Sequence, residues 1–415
     1  MSNYFYYREN RLYAEQVPLA DIALEFGTPC YVYSRAALTD SLRQFTEALK
    51  NRDHLICYAV KANSNLAVLN VFARLGTGFD VVSGGELQRV LAAGGEAGKI
   101  VFSGVGKNIA ELRAALDAGI LCFNVESAAE LDRLNDVACS MGKIAPVGLR
   151  VNPDVDAKTH PYISTGLKQN KFGVAYTEAA ALYRKASRLP GLRVTGMDCH
   201  IGSQLTETGP FVAAAEKMLA LADRLVAEGI RLEHFDLGGG LGIRYTDETP
   251  PSISDYVAAL LGALRGRSEK LILEPGRVLV GNAGILLTRV EYLKHGEEKN
   301  FAIVDAAMND LMRPALYGAR HNILPVMREN HSVQTYEVVG PVCETGDFIG
   351  HARDLGIAPQ SLLAVCSSGA YGMSMSSNYN TRPRVAEIMV DGETVHLVRN
   401  RETMAQLYAG EKIIP

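Results

Sequence analysis

The stretch "LICYAVKANSNLAVLNVFARLG", residues 55–76, joins a short apolar run to a helical pattern that ends on a glycine. The apolar run, Leu55 to Val60, does not alternate with polar residues, which is typical of a parallel strand covered on both faces. The apolar residues that follow recur at the spacing of one helix face, and Gly76 stands where helices commonly end. The stretch therefore predicts one β–α unit.

The same unit recurs along the next two hundred or so residues. Further predicted strands are "GFDVVS" (78–83), "KIVFSG" (99–104), "LCFNVES" (121–127), "PVGLRVN" (146–152), "VTGMDCHIG" (194–202), "HFDLGGG" (234–240) and "LILEPG" (271–276). Eight β–α units over roughly 230 residues match the count and length of a (β/α)8 barrel of the TIM type. A doubly wound open sheet is the competing layout, and the unit count favours the barrel.

The pattern changes after residue 280. The C-terminal third reads as strands and turns, such as "RVAEIMVDGETVHLV" (384–398), and the N-terminal segment also ends in a strand. The α/β sequence thus predicts a barrel over residues 35–280. A second, mainly β domain is expected from residues 281–415, completed by the N-terminal segment, residues 1–34.

Composition excludes several classes of function. The chain has 415 residues with 42 Lys and Arg against 46 Asp and Glu, which argues against a nucleic-acid or membrane-surface protein. Its seven cysteines are odd in number and form no CxxC pair, so no disulfide framework or zinc site is expected. No charge-free apolar stretch reaches about 18 residues, and no signal-peptide pattern opens the chain, so we expect a cytoplasmic protein.

Lys61 directly follows the first apolar run. Barrel enzymes carry their active sites at the carboxyl ends of the strands, where Lys61 would lie. A partly desolvated amine there can act as a nucleophile or form a Schiff base. The alternative is a lysine that extends from a strand end into water. Taken alone, Lys61 does not decide between the two.

Two loops that follow the last strands could bind an anion. "DLGGGLGIRY" (236–245) has consecutive glycines that let backbone N–H groups approach a ligand, although a loop that only needs positive φ angles would look the same. "LILEPGR" (271–277) places Glu274 and Arg277 after the eighth strand, where barrels often bind phosphate. A carboxylate there could pair with a ring nitrogen, or could simply form an ion pair with Arg277.

Other candidates lie after the sixth strand and in the β domain. His200 and Ser203 fall on the catalytic face, although a lone histidine is usually structural. Cys343, beside a glutamate, is either a buried small side chain or a proton donor. Arg313 and Tyr317 are spaced to share one helix face. Arginine suits carboxylate recognition, although Arg313 could equally be a solvated side chain at a domain edge. No metal-binding motif and no GxSxG serine-hydrolase elbow is present.

Several motifs occur in one order and together resemble the fold-type III pyridoxal-phosphate decarboxylases. They are "YAVKANSN" (58–65), "FDVVSGGEL" (79–87), "HIGSQ" (200–204), "DLGGGLGI" (236–243), "EPGR" (274–277), "MNDLMRPALY" (308–317), "GPVCETGD" (340–347) and "AYGMSMSSNYNTRPR" (370–384). "MNDLMRPALY", the "NYNTRPR" part of the last motif and "HPYISTGLKQNKFG" (160–173) point to the branch of that family that acts on diaminopimelate. The resemblance covers nearly the whole chain.

The resemblance implies a role for each residue. Pyridoxal 5'-phosphate would be held covalently by Lys61, stacked on by His200 and paired at its ring nitrogen by Glu274. Its phosphate and substituents would be contacted by Ser203, Gly240, Gly276, Arg277 and Tyr371. The substrate would be bound by Arg277, Arg313, Tyr317, Glu344 and Tyr371. Cys343 would protonate the product carbanion from a neighbouring subunit, so the active unit would be a homodimer.

The implied reaction converts meso-2,6-diaminopimelate to L-lysine and carbon dioxide, the last step of lysine biosynthesis by the diaminopimelate route. Two arginines suit the distal carboxylate of this small-molecule amino-acid substrate. Ornithine has no such carboxylate, and a buried arginine left without a partner costs about 1–3 kcal/mol. The rival hypotheses are a decarboxylase for ornithine, arginine or carboxynorspermidine, an amino-acid racemase on the same barrel, and a non-catalytic pyridoxal-phosphate carrier.

Overall fold

A computed structural model describes residues 4–156 and 171–415 of the chain. These residues divide into two compact units. The barrel unit comprises Ser41–Ile243 and Thr249–Val278, and the β unit comprises the chain up to Asp40, Arg244–Glu248 and the chain from Leu279 onwards. The domain boundaries read from the sequence stay a prediction, and the five-residue segment Arg244–Glu248 was not foreseen.

The described residues contain strands of two to twelve residues. In chain order they are β1 (Phe5–Arg8), β2 (Arg11–Ala14), β3 (Val17–Pro18), β4 (Cys30–Ser34), β5 (His54–Ala59), β6 (Gly78–Val81), β7 (Ile100–Phe102), β8 (Cys122–Val125), β9 (Ala145–Asn152), β10 (Val174–Ala175), β11 (Leu192–Asp198), β12 (His234–Asp236), β13 (Lys270–Leu273), β14 (Gly284–His295), β15 (Asn300–Val304), β16 (Ile323–Pro325), β17 (Gln334–Val339), β18 (Phe348–Leu355), β19 (Leu362–Val365), β20 (Ala386–Asp391) and β21 (Thr394–Arg399).

Helices alternate with the strands of the barrel unit and are sparse elsewhere. In chain order they are α1 (Leu19–Phe26), α2 (Arg35–Ala48), α3 (Leu66–Arg74), α4 (Gly84–Ala92), α5 (Ile109–Ala118), α6 (Ala128–Ser140), α7 (Tyr176–Ala186), α8 (Gly209–Ala227), α9 (Ile253–Ala263), α10 (Arg277–Val280), α11 (Arg313–Tyr317) and α12 (Met404–Tyr408). None of the described helices has both the length and the apolar character needed to cross a bilayer.

The eight strands predicted from the repeated units form a closed parallel barrel. Their order is β5-β6-β7-β8-β9-β11-β12-β13, and β13 pairs back onto β5. The eight strands close on one another, which rules out the doubly wound layout, and the two-residue strand β10 pairs in addition with β9. The prediction of a (β/α)8 barrel is therefore confirmed, and the carboxyl ends of all eight strands meet on one rim.

Local sequence signals set the helix starts on that rim. Asn108 accepts a hydrogen bond from the backbone N–H of Glu111, and the Glu111 carboxylate accepts one from the Asn108 N–H, which makes a full capping box. At α4, Ser83 caps the N–H of Glu86, while the Glu86 carboxylate binds the N–H of Val82 instead. Both arrangements satisfy N–H groups that a helix leaves unpaired, and so help to set where each strand–helix loop ends.

The barrel interior changes from apolar to polar along the strands. One small buried cluster consists of Cys57, Val101, Cys122 and Ile272. Carboxyl side chains occupy the interior near the carboxyl ends of β6, β11, β12 and β13. Because burying charge is costly without compensation, this polar layer indicates the functional end of the barrel.

The β unit is a mixed sheet built from both ends of the chain. Its order is β18-β17-β15-β14-β4-β20-β21, with β19 pairing both β14 and β16. Strand β4 from the N-terminal segment lies between β14 and β20, antiparallel to the first and parallel to the second. The prediction of a mainly β second domain is confirmed. Strand β18 was not predicted from the sequence.

Candidate active site

Lys61 stands on the functional rim of the barrel. It lies in a single 3-10 turn, Val60–Ala62, that directly follows β5. Its Nζ donates to Oδ2 of Asp80 at 2.5 Å; the lysine side chain is 38% exposed and the aspartate is fully buried. The amine is thus held by a buried carboxylate on the neighbouring strand and still reaches solvent.

His200 lies in the loop after β11 and faces the glycine run. Its Nδ1 accepts a hydrogen bond from the backbone N–H of Gly239 at 3.2 Å. Burial, reinforced by the positive charges of Arg150 and Lys61, lowers the pKa of His200 well below its usual range. The imidazole is therefore neutral near pH 7 and presents an uncharged flat ring.

Three buried carboxyl groups meet inside the rim. Asp198, Asp236 and Glu274 each offer an oxygen atom within 4.8 Å of the others. Burial, together with the negative charges of the neighbours, raises the pKa of Asp198 and Glu274 well above their usual ranges. Burial raises the pKa of Asp236 to about 6, against the opposing hydrogen bond from the N–H of Gly238. The three carboxyl groups therefore keep their protons to higher pH than exposed carboxyl groups do.

We expect Asp236→Asn to stabilise the cofactor-free protein at high pH. The folded carboxyl has a raised pKa of about 6, so the stability cost of ionising it grows as pH rises from about 4 to 6 and persists above. Removing this cost should raise the free energy of unfolding at pH 8 by about 2–3 kcal/mol, and by less at pH 5. Urea denaturation at both pH values measures the effect, with the exposed Asp136→Asn as control. An equal gain at both pH values would mean that Asp236 does not titrate in this way.

The glycine run after β12 forms a loop at the rim whose backbone is not covered by side chains of its own. Gly240 has a φ angle of 116°, and a Cβ there would lie 2.5 Å from the carbonyl oxygen of Gly202. The N–H of Leu205 donates to the Gly240 carbonyl at 3.0 Å, which ties this loop to the one after β11. Glycine is required here by both its φ angle and its close contact, and the missing side chain lets an anionic group approach the backbone.

Arg277, the first residue of α10, adds a cation just after β13. Arg277 is buried, and its Nη2 donates to Oγ of Ser203 at 2.9 Å. A Cβ on Gly276 would lie 3.0 Å from the Cβ of Ala59, so this peptide packs against the strand that leads into Lys61. The guanidinium of Arg277, the hydroxyl of Ser203 and the backbone at Gly240 thus all follow strands that end on the same rim.

These groups fit a ligand with an anionic end and a protonated ring nitrogen. Arg277, Ser203 and the backbone at Gly240 are donors suited to a phosphate. At the other extreme, Oε1 of Glu274 is buried and has no hydrogen-bond partner among the described residues. A buried carboxyl oxygen without a partner is costly, and a ring N–H would satisfy it. The residues present therefore suit pyridoxal phosphate.

Other predicted residues lie in the β unit. Arg313 and Tyr317 are the first and last residues of the short helix α11. Arg313 is buried, its Nη1 lies 2.9 Å from Nε2 of His321, and its guanidinium lies 4.6 Å from the ring centre of Tyr245. Arg313 and Tyr317 were expected to share one face of a helix, and their four-residue spacing within α11 is consistent with this. The contacts of Arg313 with His321 and Tyr245 were not foreseen.

The last three predicted residues are also in the β unit. Cys343 is exposed, and its backbone N–H donates to Oδ1 of Asn380 at 3.1 Å. The exposed carboxylate of Glu344 accepts a hydrogen bond from the Tyr379 hydroxyl at 2.9 Å. Tyr371 has a φ angle of 55°, a strained conformation for a non-glycine residue. The thiol of Cys343 and the carboxylate of Glu344 are thus both exposed on the β unit.

Some residues of the rim were missed by sequence reasoning. Asp80, Asp198 and Asp236 each stand near the end of a strand, where their position in "GFDVVS", "VTGMDCHIG" and "HFDLGGG" could have marked them. Arg150, near the end of β9, lies 3.4 Å from Glu126. No sequence motif marked Arg150 as a residue of the rim. Most of the discriminating segment 160–173 lies outside the described residues.

Comparison with known proteins identifies the family of the chain. A family described as "Pyridoxal-dependent decarboxylase, pyridoxal binding domain" matches residues 35–281. Diaminopimelate decarboxylase of Vibrio cholerae serotype O1 is 60% identical over 415 residues and covers 100% of both chains. That of Pseudomonas aeruginosa is 60% identical over 411 residues and covers 99% of each. The crystal structure of diaminopimelate decarboxylase from Helicobacter pylori complexed with L-lysine has a TM-score of 0.92 at 42% identity, covering 95% of this chain and 99% of the other.

The family match over the barrel, together with the lysine and the buried acid on its rim, shows that the chain is a pyridoxal-dependent decarboxylase. Within this class, the chain belongs to the diaminopimelate decarboxylase family, to which it matches over its full length. The resemblance seen in the sequence motifs, with its cofactor and reaction type, is confirmed. The roles of individual residues stay a prediction.

Proposed function

We propose that this chain uses pyridoxal 5'-phosphate to decarboxylate meso-2,6-diaminopimelate, giving L-lysine and carbon dioxide. The observation that carries the proposal is the buried Glu274, whose Oε1 lacks a partner among the described residues, on the same rim as Lys61. A carboxyl group at the ring nitrogen suits an electron sink, whereas a racemase of this fold favours an arginine there. The similarity to diaminopimelate decarboxylases over the full length of the chain supports the choice of substrate.

The cofactor would be held by groups of the barrel unit. Lys61 would bind it covalently through Nζ, and the neutral ring of His200 would stack on its face. Glu274 would pair with the ring nitrogen. Ser203, Gly240, Gly276 and Arg277 would surround the phosphate, with Tyr371 of the β unit approaching the cofactor. When bound, pyridoxal phosphate supplies a ring that takes up the electron pair left by the departing carboxylate.

The substrate would be bound at its non-reacting end by charged side chains. Arg313 and Arg277 would bind the distal carboxylate, Glu344 the distal ammonium group, and Tyr317 and Tyr371 would contact the substrate as well. Two opposite charges at fixed places select a substrate that carries both. Lysine and ornithine decarboxylation, by contrast, needs no cation at the distal end.

The product carbon would receive its proton from Cys343. The thiol is exposed on its own chain, which supports a role in the site of a neighbouring subunit and hence a homodimer. All seven cysteines are free, in keeping with work in the reducing cytoplasm.

Incubation of the purified holoenzyme with meso-diaminopimelate, with assays for carbon dioxide and L-lysine, tests this function. We expect turnover of diaminopimelate and little of ornithine. Arg313→Ala should lower the preference for diaminopimelate over ornithine by about 10- to 100-fold, because the distal carboxylate loses its cation. The exposed Arg320→Ala is the matched control.

Each rival reading has its own outcome in this assay. Faster turnover of ornithine or arginine, or an Arg313→Ala variant with unchanged preference, would reject the substrate assignment. Chiral inversion without carbon dioxide release would identify a racemase. A visible cofactor absorption band with no turnover of any of these substrates would identify a carrier.

A further inference from the structure

A buried histidine accompanies Arg313 in the β unit. His321 is fully buried, and its Nε2 lies 2.9 Å from Nη1 of Arg313. Its other ring nitrogen, Nδ1, lies 2.8 Å from the carbonyl oxygen of Cys366. His321 therefore connects the guanidinium to the main chain beside β19.

The partners of His321 determine where its proton lies. A guanidinium group has only donors, so Nε2 of His321 must accept from Arg313. A carbonyl oxygen has only lone pairs, so Nδ1 must carry the proton and donate to Cys366. The imidazole is thus neutral and in one tautomer, with Nε2 as the acceptor and Nδ1 as the donor.

Tyr245 supports the same guanidinium from another direction. The Arg313 guanidinium lies 4.6 Å from the Tyr245 ring centre, and the tyrosine ring meets that of His321 edge-on at 5.0 Å. The segment that carries Tyr245 is held in place because Oε2 of Glu248 accepts the backbone N–H groups of Tyr245 and Thr246 at 3.0 and 2.8 Å. Two ring systems, from different parts of the sequence, fix one arginine.

We propose that His321 and Tyr245 are positioning residues that preset the Arg313 guanidinium for the distal carboxylate of the ligand. This rests on the proposed function, in which Arg313 binds that carboxylate. A free arginine side chain loses conformational entropy when it binds, and one already held in place loses less. His321 contacts Nη1 of Arg313, and this contact fixes the plane of a guanidinium group whose fork geometry suits a carboxylate. The pair thereby determines selectivity for ligands that carry the carboxylate.

Two substitutions of His321 separate the contact to Arg313 from the contact to the main chain. In His321→Gln, an amide oxygen can take the place of Nε2 and accept from Arg313. In His321→Asn, an amide nitrogen can take the place of Nδ1 and donate to Cys366, while Arg313 loses its acceptor. Both variants are polar and neutral, so a difference between them reports on Arg313.

The ligands for the test are L-lysine and 1,5-diaminopentane, which differ only in the carboxylate. Their binding to the holoenzyme is measured by isothermal titration calorimetry. We expect His321→Asn to weaken the binding of L-lysine by about tenfold, which is the effect of one hydrogen bond to a charged group. The affinity for 1,5-diaminopentane should stay unchanged. His321→Gln should bind L-lysine within about twofold of the wild type.

The inference is overturned if His321→Asn binds L-lysine with wild-type affinity, or if both His321 variants lose the same affinity for L-lysine. It is also overturned if His321→Asn loses affinity for L-lysine and 1,5-diaminopentane equally. Arg313→Ala separates this failure from that of the proposed function. If Arg313→Ala leaves the ratio of the two affinities unchanged, Arg313 does not bind the carboxylate and the proposed substrate contact fails. If it lowers the ratio and His321→Asn does not, only the positioning role fails.

Tyr245 provides a second test that does not depend on the folding of a His321 variant. Tyr245→Phe keeps the ring under the guanidinium, and Tyr245→Leu removes it. We expect only Tyr245→Leu to weaken L-lysine selectively, by about threefold to tenfold. Equal affinities in the two variants would contradict the role of the ring. Thermal unfolding of each variant confirms that the folded protein is being compared.

Discussion

Lys61→Arg is expected to lower the rate of decarboxylation by about 10³-fold or more, the largest loss of any single substitution in the barrel unit. Arginine keeps the positive charge beside Asp80, so the rim keeps its ion pair. It stays protonated, however, and has no free amine that can form a covalent bond with an aldehyde. Steady-state turnover of meso-diaminopimelate measures the effect, with the exposed Lys50→Arg as control.

Borohydride reduction followed by peptide mapping identifies the lysine that is bound covalently to the cofactor. In the wild type we expect one labelled peptide, containing Lys61, and in Lys61→Arg no label. A label on a different lysine would contradict the assignment, whatever the activity of the variant. Normal turnover by Lys61→Arg would contradict it as well.

Cys343→Ala is expected to lower turnover by about 10²- to 10⁴-fold, the usual contribution of a positioned general acid. The cofactor absorption band should be retained, because the residues proposed to hold the cofactor lie mainly in the barrel unit. Loss of the band would mean instead that Cys343 is structural. The exposed Cys139→Ala is the matched control for removal of a thiol.

Mixed dimers of the two variants test whether the thiol acts in a neighbouring subunit. A dimer that pairs a Lys61→Arg chain with a Cys343→Ala chain has one site with both native residues, if sites are shared. Coexpression in equal amounts should then restore about a quarter of the wild-type activity, since half of the dimers are mixed and half of their sites intact. No recovery would place Cys343 in the site of its own chain.

The barrel could be predicted because its signals are local. Each of its strands is a short apolar run, and the helices between them start at capping residues such as Ser83 and Asn108. The rim location of Lys61 and Glu274 followed from their place after a strand. Strand β18, in contrast, carries "FIGHARDL", whose mixed polarity gives no clear alternation, and so it was missed.

The supporting residues could not be predicted, because they depend on contacts between distant parts of the chain. His321 and Arg313 are near in sequence, but Tyr245 comes from a segment about seventy residues earlier. Asp198 and Asp236 end two different strands, and only closure of the barrel makes their burial and raised pKa evident. The sequence thus predicts candidate reacting residues and leaves open which residues position them.

The central place of β4 in its sheet has a consequence for synthesis on the ribosome. Its residues, "CYVYS", are fully buried between β14 and β20, yet they leave the ribosome about 250 residues before β14 does. At translation speeds of about 5–20 residues per second, this apolar strand waits roughly 12 to 50 seconds for its first partner. Nascent chains of this protein therefore pass through a stage in which binding by a chaperone would compete with aggregation.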